Sequence, residues 1–487
     1  MNLYALFAER FAAASGEVCL ELEDGRRYTY TDLEAESARY ANLLARLGLE
    51  RGDRVAAQID KSPQTVFLYL GCLRAGLVYL PLNTAYQEGE IAYFVKDAEP
   101  KAVFCRPQAR GWFRGVPHLL EPGAAAGESP RFATVASSPG DLACIIYTSG
   151  TTGRPKGAMV TLGNLASNAL ALHAAWRFQP GDVLLHALPL FHVHGLFVAL
   201  HTALLNASRM IFQPRFDVAE VIRQLPRATV FMGVPTYYVR LLAEPAFSKA
   251  VCAGMRLFVS GSAPLALDTL NDFRTRTGHT ILERYGMTET GMNTSNPYDG
   301  ERRGGTVGFP LQGIEVRVVD DADRVLPTGQ TGHIQVRGPN VMPGYWKLPE
   351  KNSEEFTADG FFRTGDLGSY DKRGYLSIVG RAKDMVISGG YNVYPREVEL
   401  LLDELPGVRE SAVFGVPHPD FGEAVVAAIV PGPGAQLTED GVIAHVKSRL
   451  ANFKVPKRVV FVPELPRNTM GKVLKSELRT AYGEKAT

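Results

Sequence analysis

"ATVFMGVPTYYVRLLAE", residues 228–244, decides the fold. Its first seven residues form an apolar run of strand length, and Pro235 then opens a segment whose apolar positions recur at helical spacing. The unit repeats: "MRLFVSG" (255–261) is followed by "APLALDTLNDFRTRTG" (263–278) and then by "TILERYG" (280–286). Upstream, "RVAAQID" (54–60) precedes the helical "SPQTVFLYLGCLRAG" (62–76). Strand, turn and helix in repetition predict an α/β layered fold with mainly parallel sheets. Ligands of such folds gather beyond the carboxyl ends of the strands, so Ser260–Ala263 and Tyr285–Glu289 are expected to open on one crevice, with Tyr285–Gly286 read as a turn.

The texture changes at about residue 305. "IEVRVVD", "GHIQVRG" and "GYLSIVG" are short strands between Gly, Pro and Asp turns, which predicts a small antiparallel subdomain. After "GRAKDMVISGG" the pattern restarts as a compact α+β unit of roughly 100 residues. The expected division is a large N-terminal domain, 1–382, and a small mobile C-terminal domain, 383–487. A chain of 487 residues is too long for a single core in any case.

Composition narrows the class. Lys and Arg total 52 against 51 acidic residues, so there is no electrostatic footprint for nucleic acid or an anionic membrane. Five scattered cysteines without a C-x-x-C pair read as buried thiols of a reducing compartment. The apolar stretches 66–82 and 183–205 carry Arg74 or histidines and fit buried strand–helix units better than membrane spans. "MNLYALFAERF" lacks the layout of a secretory leader. A cytoplasmic location is expected.

"YTSGTTGRPKG" (147–157) combines three glycines, hydroxyl side chains and a lysine directly after the apolar "LACIIY". Glycines let backbone N–H groups approach a phosphate and Lys156 adds charge. Composition alone leaves a flexible polar loop equally open, because the usual P-loop needs G-K-[ST] opening a helix. In order along the chain follow "YGMTE" (285–289), "TGD" (364–366), "GRAKD" (380–384) and "PRNTMGK" (466–472). Taken together, these five motifs resemble the signatures of the adenylate-forming enzymes: acyl-CoA synthetases, adenylation domains and luciferases. The resemblance spans essentially the whole chain.

What it implies is specific. Thr148, Ser149, Gly150, Thr151, Thr152, Gly153 and Lys156 would cradle the phosphates of ATP. Gly261, Ser262 and Ala263, with Tyr285 and Gly286, would frame the adenine and the floor of the site. Thr288 would touch the α-phosphate, and Glu289, with Thr152, would hold Mg²⁺. Asp366 and Arg381 would grip the ribose. Lys472 would reach the α-phosphate and the carboxylate during adenylation. His192, in "ALPLFHVHGLFVAL", would lie at the acyl site near the route of coenzyme A; taken alone it reads as a hydrogen-bonded core histidine, and with no Cys or carboxylate nearby a metal role is discounted. Lys383 would be the pivot between domains, with Gly389 and Gly390 beside the pantetheine path. The chemistry asks for these types, since carboxylate attack on a phosphate brings anion to anion.

Arg284 departs from the pattern. A permanent cation entering the interior must face solvent, pair with a carboxylate or await an anionic ligand. Relatives mostly place a small residue there. "ERYGMTETGMNTSNPYDG" (283–300) resembles one branch of the family, the malonyl-CoA synthetases, which implies that Arg284 binds the second carboxylate of malonate or methylmalonate. A pair with Glu283 is the structural alternative, weakened because strand neighbours face opposite ways. The expected activity is ATP-dependent ligation of the acid to coenzyme A through an acyl-adenylate, acting on small molecules. Loading of a carrier-protein thiol, another short-chain acyl-CoA ligase, and a catalytically inert nucleotide sensor are the competing readings.

Overall fold

The computed structural model describes residues 3–148, 155–388, 391–419, 421–468 and 471–483. Two large sheets organise the N-terminal part. In the first, the strands run in the order Phe309–Pro310, Gly291–Ser295, Leu282–Met287, Leu257–Ser260, Val230–Gly233, Val183–His186, Arg209–Phe212, Val18–Leu22, Arg27–Thr29. Pairing is parallel from Leu282–Met287 across to Val18–Leu22, and antiparallel at both ends. The central strands Val230–Gly233 and Leu257–Ser260 are buried along their whole length. That is why they read as unbroken apolar runs rather than alternating ones.

The second sheet runs Gly344–Tyr345, Lys156–Thr161, Leu142–Thr148, Val78–Pro81, Arg54–Gln58, Ala102–Cys105, His118–Leu120. Helices fill the space around these sheets. Helix Pro235–Ala243 begins on its proline, whose fixed φ and missing N–H suit a first turn. Helix Leu267–Thr277 ends on Gly278 at φ +79°, where the left-handed conformation favours glycine. A smaller sheet of Glu315–Val319, Gly332–Arg337, Phe362–Tyr370 and Leu376–Arg381 is wholly antiparallel. Beyond the short 3₁₀ turn Ala382–Asp384, the chain forms a separate sheet around the hairpin Val408–His418 and Gly422–Pro431, covered by helices Pro395–Asp403, Glu439–Lys447 and Lys475–Tyr482. This is the mixed α/β architecture expected from the alternation.

One detail differs. Tyr285–Gly286 is not a turn: the strand continues to Met287 and the reversal falls at Thr288–Thr290. The strand changes partner midway. Leu282 and Glu283 pair parallel with Val259 and Ser260, while Arg284 to Met287 pair antiparallel with Gly291–Ser295. A glycine inside a strand that switches neighbours looks locally like a turn. Gly286 is required because a Cβ there would collide with the carbonyl of Gly291 and with Met292.

All five cysteines are buried and unbridged. Among the described residues no helix is long and apolar enough to cross a membrane.

Candidate active site

The carboxyl ends of strands Leu257–Ser260 and Leu282–Met287 open on the same cleft. Ser260 ends the first, and Gly261-Ser262-Ala263 turn away from it, with Ser262 held at φ +72°. A non-glycine residue in that region is strained, and such strain collects where a ligand must be framed.

Arg284 lies beside this loop and is 4% exposed. An added Cβ on Gly261 would stand 2.5 Å from its Cζ and 2.6 Å from its Nε. Gly261 is therefore the recess that receives the guanidinium, a second task besides the one the motif suggested. Nε and Nη2, the edge that binds a carboxylate side-on, have no hydrogen-bond partner among the described residues. Glu283 is not that partner. Its carboxylate points to the other face of the strand, accepts from the Leu265 N–H at 3.4 Å, and is pushed by burial up to about 8. Burial likewise pushes Arg284 down to about 9.

His192 and His194 stand near the guanidinium. Burial, and then the charge of Arg284, lowers His192 to about 4 and His194 well below the usual imidazole range. Both rings are neutral at physiological pH. The His194 N–H donates to His192 Nδ1 at 3.2 Å, which puts the His192 proton on Nε2. His194 Nδ1 lies 3.3 Å from Ser262 Oγ, while its Nε2 and the Ser260 hydroxyl are buried with no partner among the described residues. The local fold explains this placement: His194–Ala199 is a π-helical turn, a form common at functional sites. Gly195 fits there because any Cβ would strike the Pro189 carbonyl. This end of the cleft thus presents buried polar groups, unsatisfied among the described residues, around a cation, an arrangement that costs free energy and suits an anion.

The opposite end holds the remaining groups. Tyr285 Oη donates to Asp366 Oδ2 at 2.5 Å, and Arg381 Nε meets Asp366 Oδ1 at 2.8 Å. Asp366 and Arg381 face each other in register on adjacent strands. Glu289 is buried in the turn after Met287; its Oε1 accepts from Thr148 Oγ1 at 3.4 Å and from Tyr345 Oη at 3.0 Å. Lys156 is buried on the neighbouring sheet, 3.6 Å from Glu355 and 4.3 Å from the centroid of the Tyr345 ring. Thr288 sits beside Glu289, lining a small cavity with Phe197 and Asn168.

Lys472 comes from the other domain. Its N–H donates to Asn468 Oδ1 at 3.0 Å, and the adjoining Gly471, at φ +76°, rests against Thr236 of the large domain. The side chain is reached by solvent yet crowded by protein atoms. That crowding, and then Arg381, lowers it to about 8, opposed by Asp366. A cavity of ≈ 220 Å³ lined by Pro189, Thr236, Tyr237, Arg240, Arg467 and Gly471 separates the two domains here. Lys383 occupies the 3₁₀ turn between the antiparallel sheet and the C-terminal unit, and its neighbour Asp384 pairs with Arg479 at 3.1 Å.

So the structure gathers Thr148, Lys156, Gly261, Ser262, Ala263, Arg284, Tyr285, Gly286, Thr288, Glu289, Asp366, Arg381, Lys472 and His192 about one cleft. Ser149, Gly150, Thr151, Thr152, Gly153, Gly389 and Gly390 lie outside the described residues. Sequence reasoning placed Ser260 at the crevice without giving it a role, and missed Glu355 and Tyr345. The run "GYW" (344–346) in "MPGYWKLPE" was the available signal for Tyr345. Among the described residues no cluster of three His, Cys, Asp or Glu side chains is placed to hold a metal alone. One buried carboxylate beside Thr148 does suit Mg²⁺, which keeps water and phosphate oxygens as its main ligands.

Comparison with known proteins agrees with this layout. The family model described as AMP-binding enzyme matches residues 7–346, and the AMP-binding enzyme C-terminal domain matches residues 397–472. The ATP-bound crystal structure of MatB from Rhodopseudomonas palustris is 51% identical, with 100% of this chain and 99% of that one covered and a TM-score of 0.97. A malonate–CoA ligase of Arabidopsis thaliana is 34% identical over 98% of this chain and 89% of its own length. A feruloyl-CoA synthase of an Amycolatopsis species is 36% identical over 94% of this chain and 95% of its own.

Proposed function

Because the chain belongs to the AMP-binding enzyme family, and is an ATP-dependent acid–thiol ligase of the AMP-forming kind, we propose that its acid is malonate, with methylmalonate as a second substrate. The observation that carries this reading is Arg284, a buried guanidinium whose carboxylate-binding edge meets no acid among the described residues. A second carboxylate on a short acid would satisfy it with two parallel hydrogen bonds. The malonate-activating relative supports the same choice. A ferulate-sized group is disfavoured, because its aromatic ring would leave the buried guanidinium of Arg284 without a counter-charge.

In the first half-reaction, the near carboxylate of malonate attacks the α-phosphate of ATP and displaces pyrophosphate. Lys156 faces the β,γ-phosphates and Lys472 the reacting oxygens, so the charge developing there meets two ammonium groups. Asp366 keeps lone pairs for the ribose hydroxyls while Tyr285 and Arg381 fix its plane. Glu289 would hold Mg²⁺, which would supply further neutralisation of the phosphate charge. In the second half-reaction the small domain turns about Lys383, withdraws Lys472, and lets the thiol of coenzyme A reach the acyl carbon, releasing AMP and malonyl-CoA. His192, neutral and partly buried, borders that approach.

The test is AMP formation with coenzyme A and malonate, methylmalonate or acetate, in wild type and Arg284→Ala. Acetate leaves Arg284 facing a void, so its kcat/KM is expected to be ~10⁴-fold below that of malonate. Methylmalonate differs by a methyl group, worth ~1–3 kcal/mol. Arg284→Ala is expected to lose ~10³-fold with both diacids while remaining folded. A variant that keeps malonate activity, or a wild type that turns over acetate as fast as malonate, overturns the substrate assignment and leaves the ligase assignment standing.

A further inference from the structure

Tyr345 touches both charged groups of the phosphate end. The short strand Gly344–Tyr345 lies along the edge of the second sheet, antiparallel to Lys156–Thr161, with Tyr345 opposite Ala158. Alternation puts Lys156 and Ala158 on one face, so the Tyr345 side chain and the lysine share it. That register explains why the Lys156 ammonium stands 4.3 Å from the ring centroid. At the far side of the same ring, the hydroxyl donates to Glu289 Oε1 at 3.0 Å.

The segment is pinned at several points. Met342 N–H donates to the Glu289 carbonyl at 2.9 Å, and Trp346 N–H to the Gly157 carbonyl at 2.8 Å. Asn352 accepts from Tyr345 N–H at 2.7 Å and donates back to its carbonyl at 3.3 Å. Tyr345 itself is 3% exposed. Its two polar contacts are thereby held at a fixed separation, that of the ring's length.

We propose that Tyr345 is a positioning residue that sets the spacing between the phosphate-facing cation and the metal-facing carboxylate: its ring carries Lys156 and its hydroxyl orients Glu289. The inference rests on reading Lys156 and Glu289 as the phosphate and metal sides of the nucleotide site. A side chain that only filled space would show no difference between ring and hydroxyl. Here the two are separable, because Tyr345→Phe keeps the ring under the ammonium and removes only the bond to Glu289.

The measurement uses the full chain with α,β-methylene-ATP. Nucleotide affinity is read by calorimetry in EDTA, and Mn²⁺ affinity of the enzyme–nucleotide complex by electron paramagnetic resonance. Glu289→Gln serves as the control for the reading on which the inference rests. Tyr345→Phe is expected to melt near the wild-type temperature and to bind the metal-free nucleotide within about twofold of wild type. Its Mn²⁺ affinity is expected to fall about tenfold, as for the loss of a partner that orients a metal ligand. Wild-type Mn²⁺ affinity in Tyr345→Phe, with a loss in Glu289→Gln, overturns the positioning role alone. Equal losses with and without metal in Tyr345→Phe overturn the separation of ring and hydroxyl. Unchanged Mn²⁺ binding in Glu289→Gln overturns the site reading and the inference with it.

Discussion

Arg381 meets Asp366 at 2.8 Å, whereas Arg284, at the acyl end of the same cleft, meets no carboxylate among the described residues. The charge of Asp366 raises Arg381 above the usual guanidinium range; burial pulls Arg284 down to about 9. At Asp366 the protein has already supplied the counter-charge of its arginine. At Arg284 no counter-charge is present among the described residues, and on the proposed function the ligand brings it. On that reading the difference separates a residue that holds a site together from one that selects what enters it.

After the loss expected of Arg284→Ala, the next effect in size sharpens the Arg284 side. Gly261→Ala places a Cβ 2.5 Å from the Arg284 Cζ, so the guanidinium must shift from its recess. Steady-state kinetics with malonate are expected to show a ~10²-fold fall in kcat/KM, since small misplacements of a positioning group cost on that order. A Gly261→Ala enzyme that discriminates malonate from acetate as the wild type does would detach the glycine from the arginine.

On the ribose side, Asp366→Asn leaves Arg381 without its counter-ion. Denaturant unfolding of the large domain is expected to show a loss of about 2–3 kcal/mol, below the full value for a buried pair because the Arg381 side chain is 30% exposed. Arg284→Met is expected to have the opposite sign. Removing an unsatisfied buried charge in favour of an apolar chain of similar length stabilises by about 1 kcal/mol, measured in the absence of any acid. Equal destabilisation by both variants would erase the distinction between the two arginines.

Between these in size falls a pH effect. On the proposed function Lys472 serves as a cation, and crowding by the protein lowers its pKa to about 8, so it loses its proton as pH rises through that value. The adenylation half-reaction, followed by pyrophosphate exchange, is expected to lose kcat/KM by about tenfold per pH unit above 8. In Lys472→Arg that limb should vanish, whatever the level of residual activity, because guanidinium stays charged. A limb that persists in Lys472→Arg would assign it to another group.

Much of this was readable from the chain. Runs such as "LFVSG" and "VFMGV" declare buried parallel strands because nothing polar interrupts them, and the ordered motifs place Glu289, Asp366, Arg381 and Lys472 in one site. Arg284 stood out as a charge in the wrong place. What stayed hidden depends on contacts between distant segments. The strand that passes through Tyr285–Gly286 is held by a change of partner, which leaves no periodic trace. Tyr345 reaches Lys156 across nearly two hundred residues through a strand only two residues long. The π-helical turn that aims His194 depends on a steric gap at Gly195, visible only once Pro189 is seen opposite it.

The unsatisfied guanidinium also bears on how long the protein survives. A ligand that binds only the native state stabilises it by mass action, and an anion that completes the Arg284 pocket does so by filling a gap in the interior. Loss of a kilocalorie or two of native stability is enough to change cellular abundance several-fold through chaperones and proteases. An anion that occupies the gap beside Arg284 is therefore expected to raise the melting temperature of the wild-type chain and to leave that of Arg284→Met unchanged.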